Sequence, residues 1–357
     1  MATRAAQPAL NRQLGIVDAT LIGVGSMVGA GVFVAWSPAA AAAGSALLIA
    51  LVVAAFIAYC NATASAQLAA VYPRAGGTYV YAGERLGRAW GFVAGWAFVA
   101  GKTASCAVMA QAFARYTVPG PRPLRDGLAL AAVAGVTCLN YRGITRTALA
   151  TRILLAGTVA VLLVFAGAIW SAHLPDTHSD ATRISAHGLL QAAAILFFAF
   201  AGYARIATLG EEVRDPSRSI PRAIQAALAI ALAVYLLVAL TLLHAVSPAD
   251  LGRTVSPLRV ALDAAGHPQL HWVLALGVAL GSLGALLALM AGIGRTTLAM
   301  AREGDLPRVL AAVHPRFAVP HRAELVLGVA VAALVLTLHL PAALGLSNFC
   351  VLVYYAL

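Results

Sequence analysis

Long apolar runs, separated by short polar connectors, constrain this chain more than any other feature. A run of about 20 apolar residues is long enough to cross a bilayer as a helix. We count such runs near residues 14–36, 43–70, 89–116, 126–141, 149–171, 187–209, 223–246, 270–299 and 324–341, with a tenth that begins near residue 344 and is cut short at residue 357. The sequence therefore predicts an all-α integral membrane protein with about nine full spans and a partial tenth.

Composition supports this prediction. The chain is 61% hydrophobic and 10% charged, with a mean hydropathy of +0.86, whereas soluble domains are about 45–50% apolar and about 25% charged. No soluble lobe or Ser/Gly-rich linker interrupts the series. We predict a polar N-terminal tail over residues 1–13 and a single transmembrane domain over residues 14–357.

Basic residues give the orientation. The formal net charge is +11, and Lys102 is the only lysine among the 24 basic residues. The arginines concentrate in alternate connectors, which by the positive-inside rule places those connectors and the N-terminus in the cytoplasm, and we expect no nucleic-acid partner. One connector, with Arg115, Arg122 and Arg125, falls on the predicted outer side and disagrees.

The first span contains the stretch GVGSMVGAGVF, residues 23–33, whose glycines weaken a helix. Two interpretations are open: Gly25 and Gly29 form a GxxxG pair that packs against another helix, or the helix is locally unwound. The spacing does not fit a GxGxxG dinucleotide fingerprint, and no strand pattern precedes it.

The sixth span, AAAILFFAFAGYARIATLGEE, residues 192–212, is interrupted at a comparable depth. Two interrupted spans in corresponding halves are typical of an inverted-repeat transporter with a site near the bilayer midplane. The first repeat then covers about residues 14–171 and the second, incomplete, about residues 187–357. Unwound backbone is tolerated in a membrane where it lines a cavity or meets a ligand, and the N-terminal end of a half-helix favours a carboxylate.

Four motifs resemble those of the amino acid–polyamine–organocation permeases, and in particular their cationic amino acid transporter-like branch. They are LIGVGSMVGAGVFV, YPRAGGTYVYAGERLG, FFAFAGYARIATLGEEVRDPSRSIPRAI and GRTTLAMAREGDLP, in the order of the family and across nearly the whole chain. The resemblance implies a leucine-transporter-type fold of five plus five helices with discontinuous spans 1 and 6, and secondary transport of amino acids by alternating access. Family members usually continue beyond the point where this chain stops, so the chain is expected to be C-terminally truncated.

The resemblance also implies a set of site residues. The substrate carboxylate would be held by Ser26, Met27, Gly29, Ala30 and Gly31. The ammonium and side chain would face Phe197, Ala199, Phe200 and Gly202, with either Phe200 or Tyr203 as an aromatic gate.

Two charged residues within the spans are candidates for coupling or gating. Lys102 lies about twelve residues, or about 18 Å, into span 3, and buried membrane charges mark functional sites. We expect it to line the substrate cavity, as a titrating group or as a fixed cation in place of sodium, or else to pair structurally with backbone carbonyls. Arg205 follows the span 6 interruption, and we expect its guanidinium to reach the cytoplasmic vestibule.

The connector after span 6 carries Glu211, Glu212, Arg214, Asp215, Arg218 and Arg222. These charges form either a solvated face or cytoplasmic gate ion pairs with the YPRAGG connector. The spacing of Cys, His and carboxylate residues predicts neither a metal site, nor a cofactor, nor a catalytic set.

The sequence thus favours a secondary amino acid transporter of the plasma membrane, surrounded by lipid and either coupled to protons or working by exchange. The alternatives are a transporter of polyamines or other organic cations, and a truncated membrane sensor or partner that does not transport.

Overall fold

The computed structural model describes residues 10–29, 31–118, 120–174, 185–254 and 256–357. Within these residues the chain is helical, and its only pairing of extended backbone is an isolated bridge between Leu14 and Val213. The helices of the first half are α1 (Ile16–Met27), α2 (Gly31–Val34), α3 (Trp36–Ala43), α4 (Leu47–Val71), α5 (Thr78–Leu86), α6 (Arg88–Thr117), α7 (Arg122–Tyr141) and α8 (Ile144–Trp170).

The second half repeats the pattern of a short interrupted span followed by long helices. Its helices are α9 (Ala186–Phe200), α10 (Ala204–Ala207), α11 (Pro216–Ala245), α12 (Pro248–Arg253), α13 (Pro257–Ala264), α14 (His271–Glu303), α15 (His321–Thr337) and α16 (Leu340–Ala356). Single 3₁₀ turns lie at Gly44–Ala46, Ala201–Tyr203, Pro268–Leu270 and Arg308–Ala311.

Six stretches of the described chain are long and apolar enough to cross a membrane. They are Trp36–Val71, Arg88–Thr117, Ile144–Trp170, Ala186–Ala207, Pro216–Ala245 and Pro268–Glu303. The all-helical prediction is confirmed for the described residues, and the stretches indicate a multi-pass membrane protein. The finer count of nine full spans and a partial tenth stays a prediction.

Several helix boundaries differ from those predicted by apolar runs, and two of them are explained by proline. The helix α11 begins seven residues before the predicted position 223, because Pro216 suits the first turn of a helix and Asp215 precedes it as N-cap. The helix α7 begins at Arg122 rather than 126, again with a proline in its first turn. In both cases the helix begins earlier than the apolar run, because its polar first turn contains a proline that favours a helix start.

Burial separates central helices from those that face lipid. The most apolar windows of α6 and α14 are each 72% buried, against 39% for those of the α3–α4 stretch and of α8. The helix α14 packs on α6 and on α8, and α1 contacts α8, α11 and α14. Large apolar side chains such as Phe56 and Val329 stay exposed on the outer faces, as expected for contact with lipid tails. The interrupted first span is therefore enclosed by the long helices.

Candidate functional site

The first span is broken where the glycines predicted it. The helix α1 ends at Met27, the C-cap Val28 has non-helical dihedral angles (φ −80°, ψ 62°), and α2 begins at Gly31. Of the predicted carboxylate-binding residues, Ala30 lies outside the described residues. A Cβ on Gly29 would stand 2.7 Å from the Cβ of Ala285, so this glycine also permits close packing. Both interpretations of the motif therefore hold in part.

The interruption in span 6 is more compact. The helix α9 ends at Phe200, the turn Ala201–Tyr203 is 3₁₀, and α10 follows directly at Ala204. A 3₁₀ turn keeps i→i+3 hydrogen bonds, so the backbone is tightened rather than opened. The interruption is a change of helix type within a continuous helical stretch.

Direct contacts join the two interruptions. The Ser26 hydroxyl lies 2.7 Å from the carbonyl oxygen of Gly23 and 2.8 Å from that of Gly202, and it donates to one of them at a time. The Tyr235 hydroxyl on α11 is shared in the same way between the carbonyl oxygens of Met27, at 2.8 Å, and Ala199, at 2.9 Å. The carbonyl groups at both interruptions are thus supplied with side-chain donors.

A small cavity lies between the two interruptions. Its volume is about 40 Å³, and it is lined by Ser26, Met27, Gly29, Gly31, Lys102, Ser105, Met109, Phe198, Ala199, Gly202, Ala285 and Leu289. Ligand sites usually occupy about 300–1,000 Å³, so this conformation is closed around the site. Six residues predicted from the sequence to bind substrate line it: Ser26, Met27, Gly29, Gly31, Ala199 and Gly202.

The predicted aromatic residues lie behind the cavity rather than in its wall. The Phe200 ring is fully buried against Tyr235, with ring centroids 4.8 Å apart. The Tyr203 hydroxyl donates to the side-chain oxygen of Asn61, and Phe197 packs edge-on against Tyr355. Phe198, which faces the cavity instead, was missed because a helix carries neighbouring side chains about 100° apart and the alignment of the motif does not fix which one points inward.

Lys102 lines the cavity, as the sequence predicted. Its side chain is buried on α6, with the ammonium 3.5 Å from the carbonyl oxygen of Ala201 and 5.6 Å from the ring centroid of Tyr354. These contacts are weak for a buried ammonium, which has three donors.

Arg205 is placed differently from the expectation. Its side chain is only 2% exposed and does not reach a vestibule. Instead its Nε donates a hydrogen bond to the carbonyl oxygen of Ala288, at 2.6 Å, and its Nη1 donates one to the Thr208 hydroxyl. The connector after α10 folds back over this region, since the backbone carbonyl of Glu212 accepts from the N–H groups of Gln13 and Leu14.

A buried ion cluster lies beside Arg205. The Arg295 guanidinium on α14 forms a bidentate pair with Glu212, at 2.8 and 2.9 Å, and a further bond of 2.7 Å to Glu324 on α15. All three side chains are at most 1% exposed. Sequence reasoning placed Glu212 in a charged connector, as part of either a solvated face or cytoplasmic gate ion pairs, and did not single out Arg295 or Glu324. The available signal was an arginine inside the apolar run 270–299 and a glutamate at the start of the run 324–341.

A second, wider cavity of about 540 Å³ opens where α5, α6 and the end of α14 meet. Arg302 pairs with Glu211, and Arg88 with Asp305, both at 2.9 Å, while Arg74 of the YPRAGG connector pairs with Glu84. The backbone N–H of Ala75 donates to Glu211 at 3.3 Å. The charged connector therefore does meet the YPRAGG connector, through Glu211, but Arg74 pairs with a residue of α5 instead.

The chain is similar to known proteins in sequence and in fold. The sequence profile of the family described as amino acid permease matches residues 14–357. An uncharacterized transporter of Mycobacterium tuberculosis is 54% identical over 350 residues, which cover 98% of this chain and 79% of that protein. The branched-chain amino acid permease BcaP of Bacillus subtilis is 26% identical over 342 residues, covering 90% of this chain and 74% of BcaP.

Among solved structures, MhsT in complex with L-phenylalanine has a TM-score of 0.65 at 15% identity, covering 95% of this chain and 81% of MhsT. This likeness shows that the two chains share a fold of the predicted leucine-transporter type. Proteins named as cationic amino acid transporters also match, so the resemblance inferred from the motifs is confirmed.

Proposed function

We propose that this chain, which belongs to the amino acid permease family, is a secondary transporter that carries amino acids across the plasma membrane by alternating access. The observation that supports this most is the closed cavity between the broken first span and the 3₁₀ turn of span 6. Midplane sites between interrupted helices are where such transporters bind their substrates.

In this proposal the broken first span receives the substrate carboxylate. Ser26, Met27, Gly29 and Gly31 lie at the break between α1 and α2, and Ala30 is assigned to the same group from the sequence. The start of a helix favours negative charge. The residues of span 6 meet the ammonium and the side chain: Phe197, Ala199, Phe200, Gly202 and Tyr203. Since the rings of Phe197, Phe200 and Tyr203 stand behind the cavity wall, they contact the substrate only when the site opens.

The lining favours a neutral, apolar side chain. Met27, Met109, Phe198 and Leu289 supply apolar walls, and among the described residues of the lining Lys102 is charged while none is a carboxylate. A cationic substrate would meet an ammonium of like sign at short range in a dry site. We therefore favour neutral amino acids over polyamines and other organic cations.

We further propose the orientation and organisation predicted from the sequence. Residues 1–13 and the wider cavity at α5 lie in the cytoplasm, and residues 14–357 form one transmembrane domain built on two inverted repeats. A carrier must open on one side of the membrane while the other side stays closed. The contacts that close the small cavity, and the ion pairs at the wider cavity between α5, α6 and the end of α14 (the α5 end), are contacts that such a cycle could break and re-form. Transport is proton-coupled or proceeds by exchange.

Uptake into proteoliposomes tests the proposal. The purified chain is reconstituted and presented with radiolabelled leucine, phenylalanine, lysine and putrescine. We expect saturable uptake of leucine or phenylalanine, with neither lysine nor putrescine competing. Uptake of putrescine alone would favour the organic-cation transporter, and binding of leucine without flux would favour the sensor.

Two variants of Lys102 separate its proposed roles. If Lys102 serves as a fixed cation, Lys102→Arg retains uptake and Lys102→Gln loses it. If it titrates during the cycle, both variants lose the response of uptake to a pH gradient, because arginine keeps its proton throughout.

A further inference from the structure

Four charged side chains lie together outside the lining of the small cavity, and none of them is among the residues proposed to bind substrate. They are Arg205 after the 3₁₀ turn, Glu212 in the following connector, Arg295 on α14 and Glu324 on α15, and each is at most 2% exposed. Two positive and two negative charges balance, which allows such a cluster to exist in a dry site.

Hydrogen bonds in this cluster are distributed unevenly. Glu212 uses both carboxylate oxygens on Arg295. Glu324 uses only Oε1, on Arg295, and its Oε2 is buried without a hydrogen-bond partner among the described residues, as is the Nη2 of Arg205. A buried carboxylate with an unpartnered oxygen is costly, and each such atom calls for an explanation.

The helix α14 is shaped to admit these groups. A Cβ at Gly294 would lie 2.6 Å from Oε1 of Glu324, and a Cβ at Gly292 would lie 2.4 Å from Cδ of Arg205. The two glycines in the AGIGR stretch of a buried helix are therefore explained by the side chains they accommodate. The helix α14 therefore has a specific space for the carboxylate of Glu324, which lies in the first turn of α15.

The cluster is linked to the cavity by two elements. On α14, Ala285 and Leu289 line the cavity, Ala288 accepts from Arg205, and Arg295 lies two turns further along. On span 6, Gly202 lines the cavity three residues before Arg205. The cavity and the cluster are thus joined by two elements over a short distance along the chain.

The groups that face Glu324 come from each neighbouring helix. They are Arg295 on α14, Arg205 on α10, Glu212 in the connector, Cys106 on α6 and Asn140 on α7. The Asn140 amide lies near the carboxylate, but its Nδ2 donates to the carbonyl oxygen of Leu287 at 3.3 Å. Of these groups, Glu212 lies on a connector that follows α10 and whose backbone, at Glu212 and Arg214, is hydrogen-bonded to the N-terminal segment at Gln13 and Leu14.

From this geometry we propose that Glu324 is the proton-carrying residue of a proton-coupled transport cycle, with Oε2 as the atom that binds the proton. The proposal rests on the proposed function and specifies its coupling. Glu324 belongs to α15, so the proton site is separate from the substrate-binding residues.

A change in the partners of Arg295 would drive the cycle. With Glu212 in place, Arg295 already has a bidentate carboxylate, and the free oxygen of Glu324 takes up a proton that comes from the outer solution. When the connector carrying Glu212 withdraws as the α5 end opens, Arg295 and Arg205 both act on Glu324. This favours its carboxylate form, so the proton leaves to the cytoplasm and the ion pair with Arg295 strengthens.

Proteoliposomes again provide the test. Leucine accumulation is measured with an acidic outside and a neutral inside, and leucine counterflow is measured at equal pH on both sides. We expect Glu324→Gln, whose amide oxygen still accepts from Arg295, to abolish the extra accumulation caused by the pH gradient while retaining counterflow. Glu324→Asp should keep part of the gradient response, and Asp263→Asn, which removes an exposed carboxylate, should behave as the unaltered protein.

The outcomes separate the two proposals. A full gradient response in Glu324→Gln, or counterflow without any gradient response in the unaltered protein, overturns the proton-carrying role and leaves amino acid transport standing. Absence of both accumulation and counterflow in the unaltered protein overturns both. If Glu324→Gln does not fold, Arg205→Gln combined with Glu324→Gln restores charge balance in the cluster, and its gradient response is read in the same way.

Discussion

Ser26 and Gly202 are in direct contact across the two interrupted spans, with the serine hydroxyl 2.8 Å from the glycine carbonyl oxygen. The contact is possible because Gly202 has no Cβ, which would stand 2.7 Å from the backbone carbon and the Oγ of Ser26. The geometry of the closed cavity therefore depends on one small residue in the 3₁₀ turn.

Gly202→Ala is expected to separate α1 from span 6. The added methyl group overlaps Ser26 backbone atoms that cannot give way, which costs about 1–3 kcal/mol of stability, and leucine uptake should fall with it. Gly167→Ala in α8 is the matched control, because a Cβ there meets nothing within 4 Å. Thermal unfolding in detergent and uptake by proteoliposomes measure both effects. Equal behaviour of the two variants would contradict the close contact.

Tyr235→Phe removes the donor that Met27 and Ala199 share. Leaving buried carbonyl oxygens without this donor is expected to lower stability by about 1–3 kcal/mol, and the closed state should be populated less. Unfolding is followed by the reaction of the buried thiols of Cys106 and Cys350 with a fluorescent maleimide. Tyr59→Phe, at an exposed tyrosine, should be neutral, and no difference between the two would show that the shared hydroxyl adds little.

Arg295→Met tests the buried ion cluster as a structural element. It leaves Glu212 and Glu324 buried without their cation, and breaking such a pair typically costs about 3–5 kcal/mol. Arg253→Met removes an exposed arginine at the end of α12 and should cost far less. The midpoint of denaturation in detergent compares them. A small loss in Arg295→Met would contradict the structural importance of this ion cluster.

Tyr79→Phe probes the α5 end. The Tyr79 hydroxyl donates to Asp305 at 2.8 Å, and burial together with this bond raises the pKa of Tyr79 above its ordinary value of about 10. Tyr79 therefore keeps its proton through the physiological range, and the contact is lost only when alkaline pH passes the raised pKa. We expect faster amide hydrogen exchange in α5 of the variant at neutral pH, with α12 unchanged. Unchanged exchange in α5 would show that Arg88 alone holds Asp305.

The break in the first span could be predicted from the sequence, because the effect of glycine on a helix depends only on neighbouring residues. Gly29 and Gly31 mark a break that any membrane helix with this sequence is prone to make, and the break lies where it was predicted. Whether Phe197, Phe198 or Phe200 faces the cavity depends on the rotation of α9, which its neighbours set. The burial of Arg205 could not be predicted for a similar reason, since it depends on the space left by Gly292 on α14, which is far away in sequence.

The sequence by itself determined that the chain is a helical membrane protein, which of its spans are interrupted and to which family it belongs. These follow from apolar length, glycine placement and motif order, all of which are read within single segments. Only the tertiary structure decided that Arg205, Glu212, Arg295 and Glu324 form one cluster, because these residues lie up to 119 positions apart in the chain (Arg205 to Glu324). Charge pairing in a dry interior depends on distances of a few ångströms, which no local pattern specifies.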